Sequence, residues 1–160
     1  MNAKIILAAA AMVALAGCAG GGLSQAEKVS TQGTAFNKAL SAGYLRLARA
    51  EQAEFDYADA DYFAARAISS ANALTVNPPE GSSRDLPQAD AIYVFAAHQE
   101  LVEVLDGGAR SRAPQLAATA QIAYECWIQE LEENHQPAEI DACHEQLDGL
   151  IPALRNAIAD

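Results

Sequence analysis

The feature that most constrains this fold is a pair of cysteines on either side of a predicted turn. The segment from Cys126 to Cys143 reads CWIQELEENHQPAEIDAC. Residues 134–136 (Asn-His-Gln) predict a tight turn, and Pro137 is well placed at the first position of a following helix. Each cysteine lies roughly two helical turns from this corner, on the apolar face of its predicted helix. Two antiparallel helices would therefore hold the two sulfurs at nearly equal height.

This geometry favours a structural disulfide, which requires Cα atoms roughly 4.4–6.8 Å apart. Zinc is an alternative, with His135 or His144 as a third ligand. However, His135 lies at the turn, and His144 points about 100° away from Cys143 on the same helix. Free buried thiols are a further alternative, whereas the spacing lacks the Cys-x-x-Cys pattern of a redox pair.

Helical periodicity continues through the rest of the chain, and neither strand-like alternation nor a hairpin signal is present. The sequence therefore predicts an all-α protein, an antiparallel bundle of about five helices with a disulfide-stapled C-terminal hairpin. The clearest loop is VNPPEGSSRDLP, residues 76–87. The predicted helices run from Thr34 to about Phe55, from Asp59 as N-cap to Leu74, from Pro87 to Gly107, from Ala113 to the turn at 134–136, and from Pro137 onward.

The third of these helices has a predicted core face made of Ile92, Phe95, Val102 and Leu105. Most aromatic side chains are also expected in the core, namely Tyr57, Tyr62, Phe63, Tyr93 and Trp127.

The first residues read MNAKIILAAAAMVALAGC, with Lys4 ahead of an apolar run. That run is shorter than the approximately 20 residues that a membrane-spanning helix needs, and it matches the core of an export signal. The last four residues, 15–18 (Leu-Ala-Gly-Cys), resemble a bacterial lipobox, which implies acylation of Cys18, with palmitate among the chains, and cleavage before it. We therefore expect a signal peptide at 1–17, a lipidated and flexible tether at 18–33, and a helical domain at 34–160.

Export would place the chain in an oxidising compartment, which is consistent with a disulfide. Resemblance to Gram-negative lipoproteins also implies sorting to the outer membrane, because Ala19 rather than Asp follows the cysteine. The formal charge of −11 is unsuited to nucleic acid and to a flat position on anionic lipid. The lipid is thus the expected membrane contact.

Three stretches together resemble the N-terminal helical domain of OmpA-like lipoproteins from alphaproteobacteria, over about residues 34–155. They are the aromatic and acidic segment 57–63 (YADADYF), the segment 108–114 (GARSRAP), and the cysteine segment 126–143. The resemblance implies a helical domain in the cell envelope. In that family a peptidoglycan-binding domain usually follows, and here the sequence stops at Asp160. We therefore expect either a stand-alone relative or a shortened form.

No pattern in the sequence predicts a catalytic site, a metal site or a cofactor. His98, His135 and His144 are scattered, and the acidic residues around Asp59 lack the spacing of a calcium loop. The expected function is that of a non-enzymatic envelope adaptor or scaffold that binds another envelope protein. Direct binding of glycan, peptidoglycan or a small ligand is the alternative. The candidate partner-binding surface consists of Asp59, Asp61, Arg110, Arg112 and Trp127.

Overall fold

A computed structural model describes residues 21–159, and this part of the chain is helical without any β-strand. The elements are α1 (Gly21–Ala26), α2 (Ala35–Ala53), α3 (Tyr57–Ala71), a 3-10 turn (Gly81–Ser83), α4 (Ala91–Val104), a kinked segment (Leu105–Ala109) in which Gly108 has a φ of 110°, the single turn α5 (Arg110–Arg112), α6 (Pro114–Glu133) and α7 (Pro137–Ala159). The predicted all-α bundle is confirmed.

Helices α2 and α3 form an antiparallel hairpin. Thr34 caps α2, as its position at the predicted helix start suggested, because its side chain accepts from the Asn37 amide. Two buried hydroxyls join the helices, since Ser41 donates to the Ala67 carbonyl and Ser70 to the Asn37 carbonyl.

The N-cap predicted for α3 was placed one turn too late along the chain. Asp56, not Asp59, caps this helix by accepting from the amides of Ala58 and Asp59. Asp59 therefore lies within the first turn, and its side chain is free to bind groups on other elements.

Helices α6 and α7 form the C-terminal hairpin, and the predicted disulfide is present. Cys126 and Cys143 are bonded, with their Cα atoms 5.8 Å apart. Asn134 adopts a left-handed conformation (φ 52°), which ends α6 and allows the chain to reverse. Helix α6 lies between α2 and α7 and contributes much of the core.

Helix α4 packs against α6 and α7, but through a different face from the predicted one. Its buried residues are Val94, His98, Leu101 and Val104. Ile92 and Phe95 are exposed, and of the predicted face only Leu105 is fully buried. The first turns of α4 carry apolar residues on both faces, and the face that enters the core includes the polar residue His98.

The expected boundary between tether and domain at residue 34 also requires correction. Gly21–Ala26 forms α1, which packs against α3 and buries Leu23 and Ala26. The folded part therefore begins at least as early as Gly21. The predicted signal peptide and Cys18 lie outside the described residues. No helix between residues 21 and 159 is long and apolar enough to cross a membrane.

Candidate functional site

The loop after α3 is fixed by four side chains that hold four consecutive carbonyl groups. Gln121 donates to Val76 O at 3.0 Å, and Arg66 donates to Asn77 O at 2.7 Å. His98 Nε2 lies 3.2 Å from Pro78 O, and Tyr124 donates to Pro79 O at 3.0 Å. Because Pro78 and Pro79 have no N–H, this extended segment cannot bond to itself, and its carbonyls need these donors.

Glu125 is the centre of this polar network. Its buried carboxylate accepts from the Tyr44 hydroxyl, from Arg66 at 2.8 Å and from Gln121 at 3.2 Å. Burial raises the pKa of Glu125, and the charge of Arg66 opposes that rise. Burial likewise raises the pKa of Tyr44, so its hydroxyl stays a proton donor. The network joins α2, α3 and α6 and leaves little freedom for residues 76–79.

This loop in turn supports α4. His98 is a buried residue of α4, and its ring also packs against Tyr124 at 5.6 Å between centroids. Val94 lies close to Gly81, where a side chain on the glycine would meet it at 2.5 Å. Helix α4 is therefore held along one narrow stripe by the loop, α6 and α7.

The opposite face of α4 exposes large apolar side chains in its first turns. Ile92, Tyr93 and Phe95 have 70%, 66% and 64% of their surface accessible. Ile92 and Phe95 are neighbours three residues apart on the helix surface, and Tyr93 lies on the other flank of Ile92. Exposed apolar surface of this kind often marks a binding site. We refer to these three residues as the α4 patch.

Two clefts flank the α4 patch. One, of about 350 Å³, lies between α4 and residues 80–86, with Phe95, His98 and Arg84 among its lining residues. The other, of about 240 Å³, lies between α4 and α7 and includes Tyr93, Glu100 and His144. The clefts add concave surface on which an apolar side chain of a ligand can rest.

The charges around the α4 patch are mainly acidic. Asp90 precedes the helix, and Glu100 and Glu103 are exposed on it. Arg155 of α7 donates to Glu100 at 3.1 Å. The surface therefore suits an apolar segment with basic flanking residues, because opposite charges favour correct docking.

A second polar cluster lies where α2 and α6 end and α3 begins. Arg84 pairs with Asp59 at 2.9 Å and Glu132 at 2.5 Å and lies over the Tyr62 ring. Burial raises the pKa of Glu132, but the bonds from Arg84 and the Asp85 amide outweigh burial and lower it. Arg84 thereby joins the loop to α3 and α6.

Other carboxylates of this cluster lack a basic partner of this kind. Burial, followed by the charge of Glu133, raises the pKa of Glu51 to about 8. Burial, followed by the charge of Glu139, raises the pKa of Glu130 to about 7. Glu51, Asp56 and Glu133 each offer an oxygen within 4.8 Å of the others, as do Glu54 and Glu133 with His135 Nδ1 or Nε2. Such groups could hold a cation, but acidic side chains often lie this close without one.

The predicted partner-binding residues do not form one surface. Asp59 binds Arg84 and Gln129, and Asp61 accepts from the Gly22 amide. These two residues are near the start of α3.

Arg110 and Arg112 lie beyond the other end of α3. Arg110 pairs with Asp106 and contacts Asn77, and Arg112 donates to the Ile158 carbonyl near the end of α7. Trp127 was predicted both as a core aromatic and as part of the candidate surface, and the core prediction is the one confirmed. It is 3% exposed and stacks on His144, with ring centroids 4.2 Å apart, beside the disulfide.

The α4 patch was missed because its residues were assigned to the core. Of the predicted core aromatics, Tyr93 belongs to this exposed patch, and Tyr57 on α3 is exposed too. One signal was available, since Val94, Leu101 and Leu105 also recur at helical spacing.

Comparison with protein-family models, curated proteins and solved structures finds no match to this chain. The resemblance to OmpA-like lipoproteins accordingly remains a prediction, and the function rests on the geometry of the molecule.

Proposed function

We propose that this protein is an outer-membrane lipoprotein, anchored through Cys18 and facing the periplasm, that acts as a non-enzymatic adaptor or scaffold. Its partner is another envelope protein, and the α4 patch is the binding surface. The observation that carries this proposal is the exposure of Ile92, Tyr93 and Phe95 on a helix whose other face is firmly held.

The contrast between the exposed α4 patch and the buried face of the same helix supports the proposal. The stripe at Val94, His98 and Leu101 fixes the position of α4 before a partner binds. A fixed surface loses little conformational entropy on binding, which favours affinity. Aromatic residues such as Tyr93 and Phe95 are enriched in protein interfaces.

Site-specific photo-cross-linking in intact cells tests the proposal. A photoreactive phenylalanine analogue at Phe95 should give one discrete adduct with an envelope protein. The same analogue at Gln115, which is exposed on α6, is the control and should not give that adduct. Equal labelling from both positions, or no adduct from Phe95, would contradict an adaptor that uses this surface.

The lipid anchor has its own test. Cys18→Ser should release the protein into the soluble periplasmic fraction, and metabolic labelling with palmitate should mark the parent chain only. An unlabelled parent chain would contradict the anchor without affecting the cross-linking result.

Direct binding of glycan or peptidoglycan is the second candidate. The rings of Tyr93 and Phe95 lie beside clefts that also contain Gln99 and Glu100, a combination that suits sugar faces and hydroxyls. Sedimentation of the purified protein with protein-free peptidoglycan would support this function, and a supernatant that retains all the protein would reject it.

A further inference from the structure

Phe55 occupies a backbone position that normally favours glycine. It follows α2, where the Phe55 amide bonds to Gln52 O at 3.2 Å and the Asp56 amide to Glu51 O at 2.9 Å. This pattern is a Schellman motif, whose left-handed residue is usually glycine because other side chains are strained there. Phe55 has a φ of 68°.

The fold gains little from the Phe55 ring, which is 76% exposed. A bulky residue in a strained conformation, without packing to offset the strain, indicates a role outside the fold. Tyr57, two residues later, is also exposed, at 40%. The turn between α2 and α3 thus presents two aromatic side chains to the surroundings.

The N-terminal end of the described chain contacts α3 about one helical turn from Tyr57. The Gly22 amide donates to Asp61 Oδ1 at 2.8 Å, and Gly22 also approaches Ala64. Tyr57, Asp61 and Ala64 have the spacing i, i+4, i+7, so they share one stripe of α3. On that stripe, Tyr57 lies one helical turn before Asp61, the residue that Gly22 contacts.

The chain between this point and the predicted anchor is very short. Only residues 19 and 20 lie between Cys18 and Gly21, so three residue-to-residue steps join them, and even a fully extended chain spans about 3.3–3.6 Å per residue. The anchor is therefore within roughly 10 Å of Gly21. On the proposed function, in which Cys18 is acylated, the surface of the bilayer must come equally close to the start of α1.

We infer that Phe55 and Tyr57 enter the headgroup region of the same bilayer and fix the orientation of the domain on it. Aromatic side chains favour this region, where an apolar ring meets a polar surface. Glu54, Asp56 and Asp61 lie beside the rings, so the lipid that suits them has zwitterionic rather than anionic headgroups.

This orientation has a consequence for the adaptor. Helix α1 packs against α2 and α3, whereas α4 packs against α6 and α7. Contact of the α2–α3 turn with lipid would leave the α4 patch, which is on a helix that packs against α6 and α7, free to meet a partner.

Fluorescence quenching by brominated lipid tests the inference on the full lipidated chain. Phe55→Trp and Ile92→Trp each add one tryptophan at an exposed site, and emission of Trp127 in the parent chain is subtracted. In vesicles of dibrominated phosphatidylcholine, the added emission of Phe55→Trp should fall at least twofold. That of Ile92→Trp should stay unchanged. Equal quenching, or quenching of Ile92→Trp only, would overturn the inference.

Two further arms keep the outcome decisive. Tyr57→Trp should behave as Phe55→Trp does, which guards against a folding defect at the strained position. Replacing part of the phosphatidylcholine by equally dibrominated phosphatidylglycerol, which keeps the bromine content constant, should weaken the quenching, and stronger quenching would reject the zwitterionic assignment.

Flotation of the parent chain with vesicles, with Cys18→Ser as control, separates the two proposals. A parent chain that fails to float removes the anchor and the inference together. A parent chain that floats while neither added tryptophan near the turn is quenched removes the inference alone.

Discussion

The loop at residues 76–79 and the outer face of α4 lie on opposite sides of the same helix and are built in opposite ways. In the loop, each of four carbonyls has a side-chain partner, and the Glu125 network supplies two of these partners. On the outer face of α4, Ile92, Tyr93 and Phe95 are largely exposed. One region satisfies polar groups inside the protein, and the other leaves apolar groups outside it.

The difference separates residues that hold the fold from residues available for function. Buried polar groups are costly unless they are bonded, so the loop and Glu125 must be complete for the domain to be stable. Exposed apolar residues contribute little to folding. Changes in the first region should therefore act on stability, and changes in the α4 patch on binding.

The largest effect is expected from Glu125→Ala. Removing this carboxylate leaves Arg66 partly buried without its partner, which costs about 3–5 kcal/mol. Chemical denaturation would measure the loss. Glu27→Ala is the control, because it breaks the exposed pair with Arg49 and should cost less than about 1 kcal/mol. Similar effects of the two changes would contradict a structural role for the network.

The disulfide should give the next largest effect. Replacing Cys126 and Cys143 together by serine should destabilise the protein by about 3 kcal/mol. Thermal unfolding measures this, and reductant should lower the transition of the parent chain and leave the double variant unchanged. Intact mass of unreduced protein should lie two units below that of the reduced form. Two thiols that react with alkylating agent before reduction would exclude the bond.

A smaller effect is expected at Glu51, and it depends on pH. The pKa is about 8 in the folded protein, above the ordinary 4.5, so the folded state retains a proton that the unfolded state releases. The free energy of unfolding should therefore fall as pH rises from about 4.5 to 8. Glu130 acts in the same direction, up to about 7.

Glu51→Gln removes the titration and should stabilise the protein by roughly 1–2 kcal/mol at pH 8, with little effect near pH 4. Melting temperatures across this range measure the change. An equal effect at both pH values would show that the carboxyl group does not titrate as described.

The smallest of these changes concerns Phe55. Phe55→Gly should stabilise the domain by roughly 0.5–1 kcal/mol, because glycine accepts the left-handed conformation without strain. Ala73→Gly is a matched control, since Ala73 (φ 61°) occupies the same position in the Schellman motif after α3. A marked destabilisation in Phe55→Gly only would show that the aromatic ring supports the fold.

The helices that carry clear end signals could be predicted from the sequence. Thr34, Pro114 and Pro137 mark the starts of α2, α6 and α7, and the disulfide follows from the height of its cysteines around the turn. Asp59 was mistaken for the N-cap of α3 because Asp56, three residues earlier, is also an aspartate, and residue type does not distinguish the two positions.

The polar network could not be predicted in this way. Tyr44 and Glu125 are 81 residues apart in the sequence, and Arg66 and Glu125 are 59 apart. Such contacts depend on packing, for which local periodicity has no signal. The burial of His98 could not be predicted for the same reason. A polar side chain is expected at the surface unless a buried partner, here Pro78 O, is known.

The measurement that tests the account most directly compares the two faces of α4 in one experiment. Ile92→Ser/Phe95→Ser and Leu101→Ala are assayed for stability and for the adduct formed by a photoreactive residue at Tyr93. We expect the first variant to change stability by no more than about 0.5 kcal/mol and to lose the adduct. Leu101→Ala should lose about 2–4 kcal/mol and, where it remains folded, keep the adduct. If Ile92→Ser/Phe95→Ser unfolded several kcal/mol more easily, or still formed the adduct at full yield, the division between the two faces would be wrong.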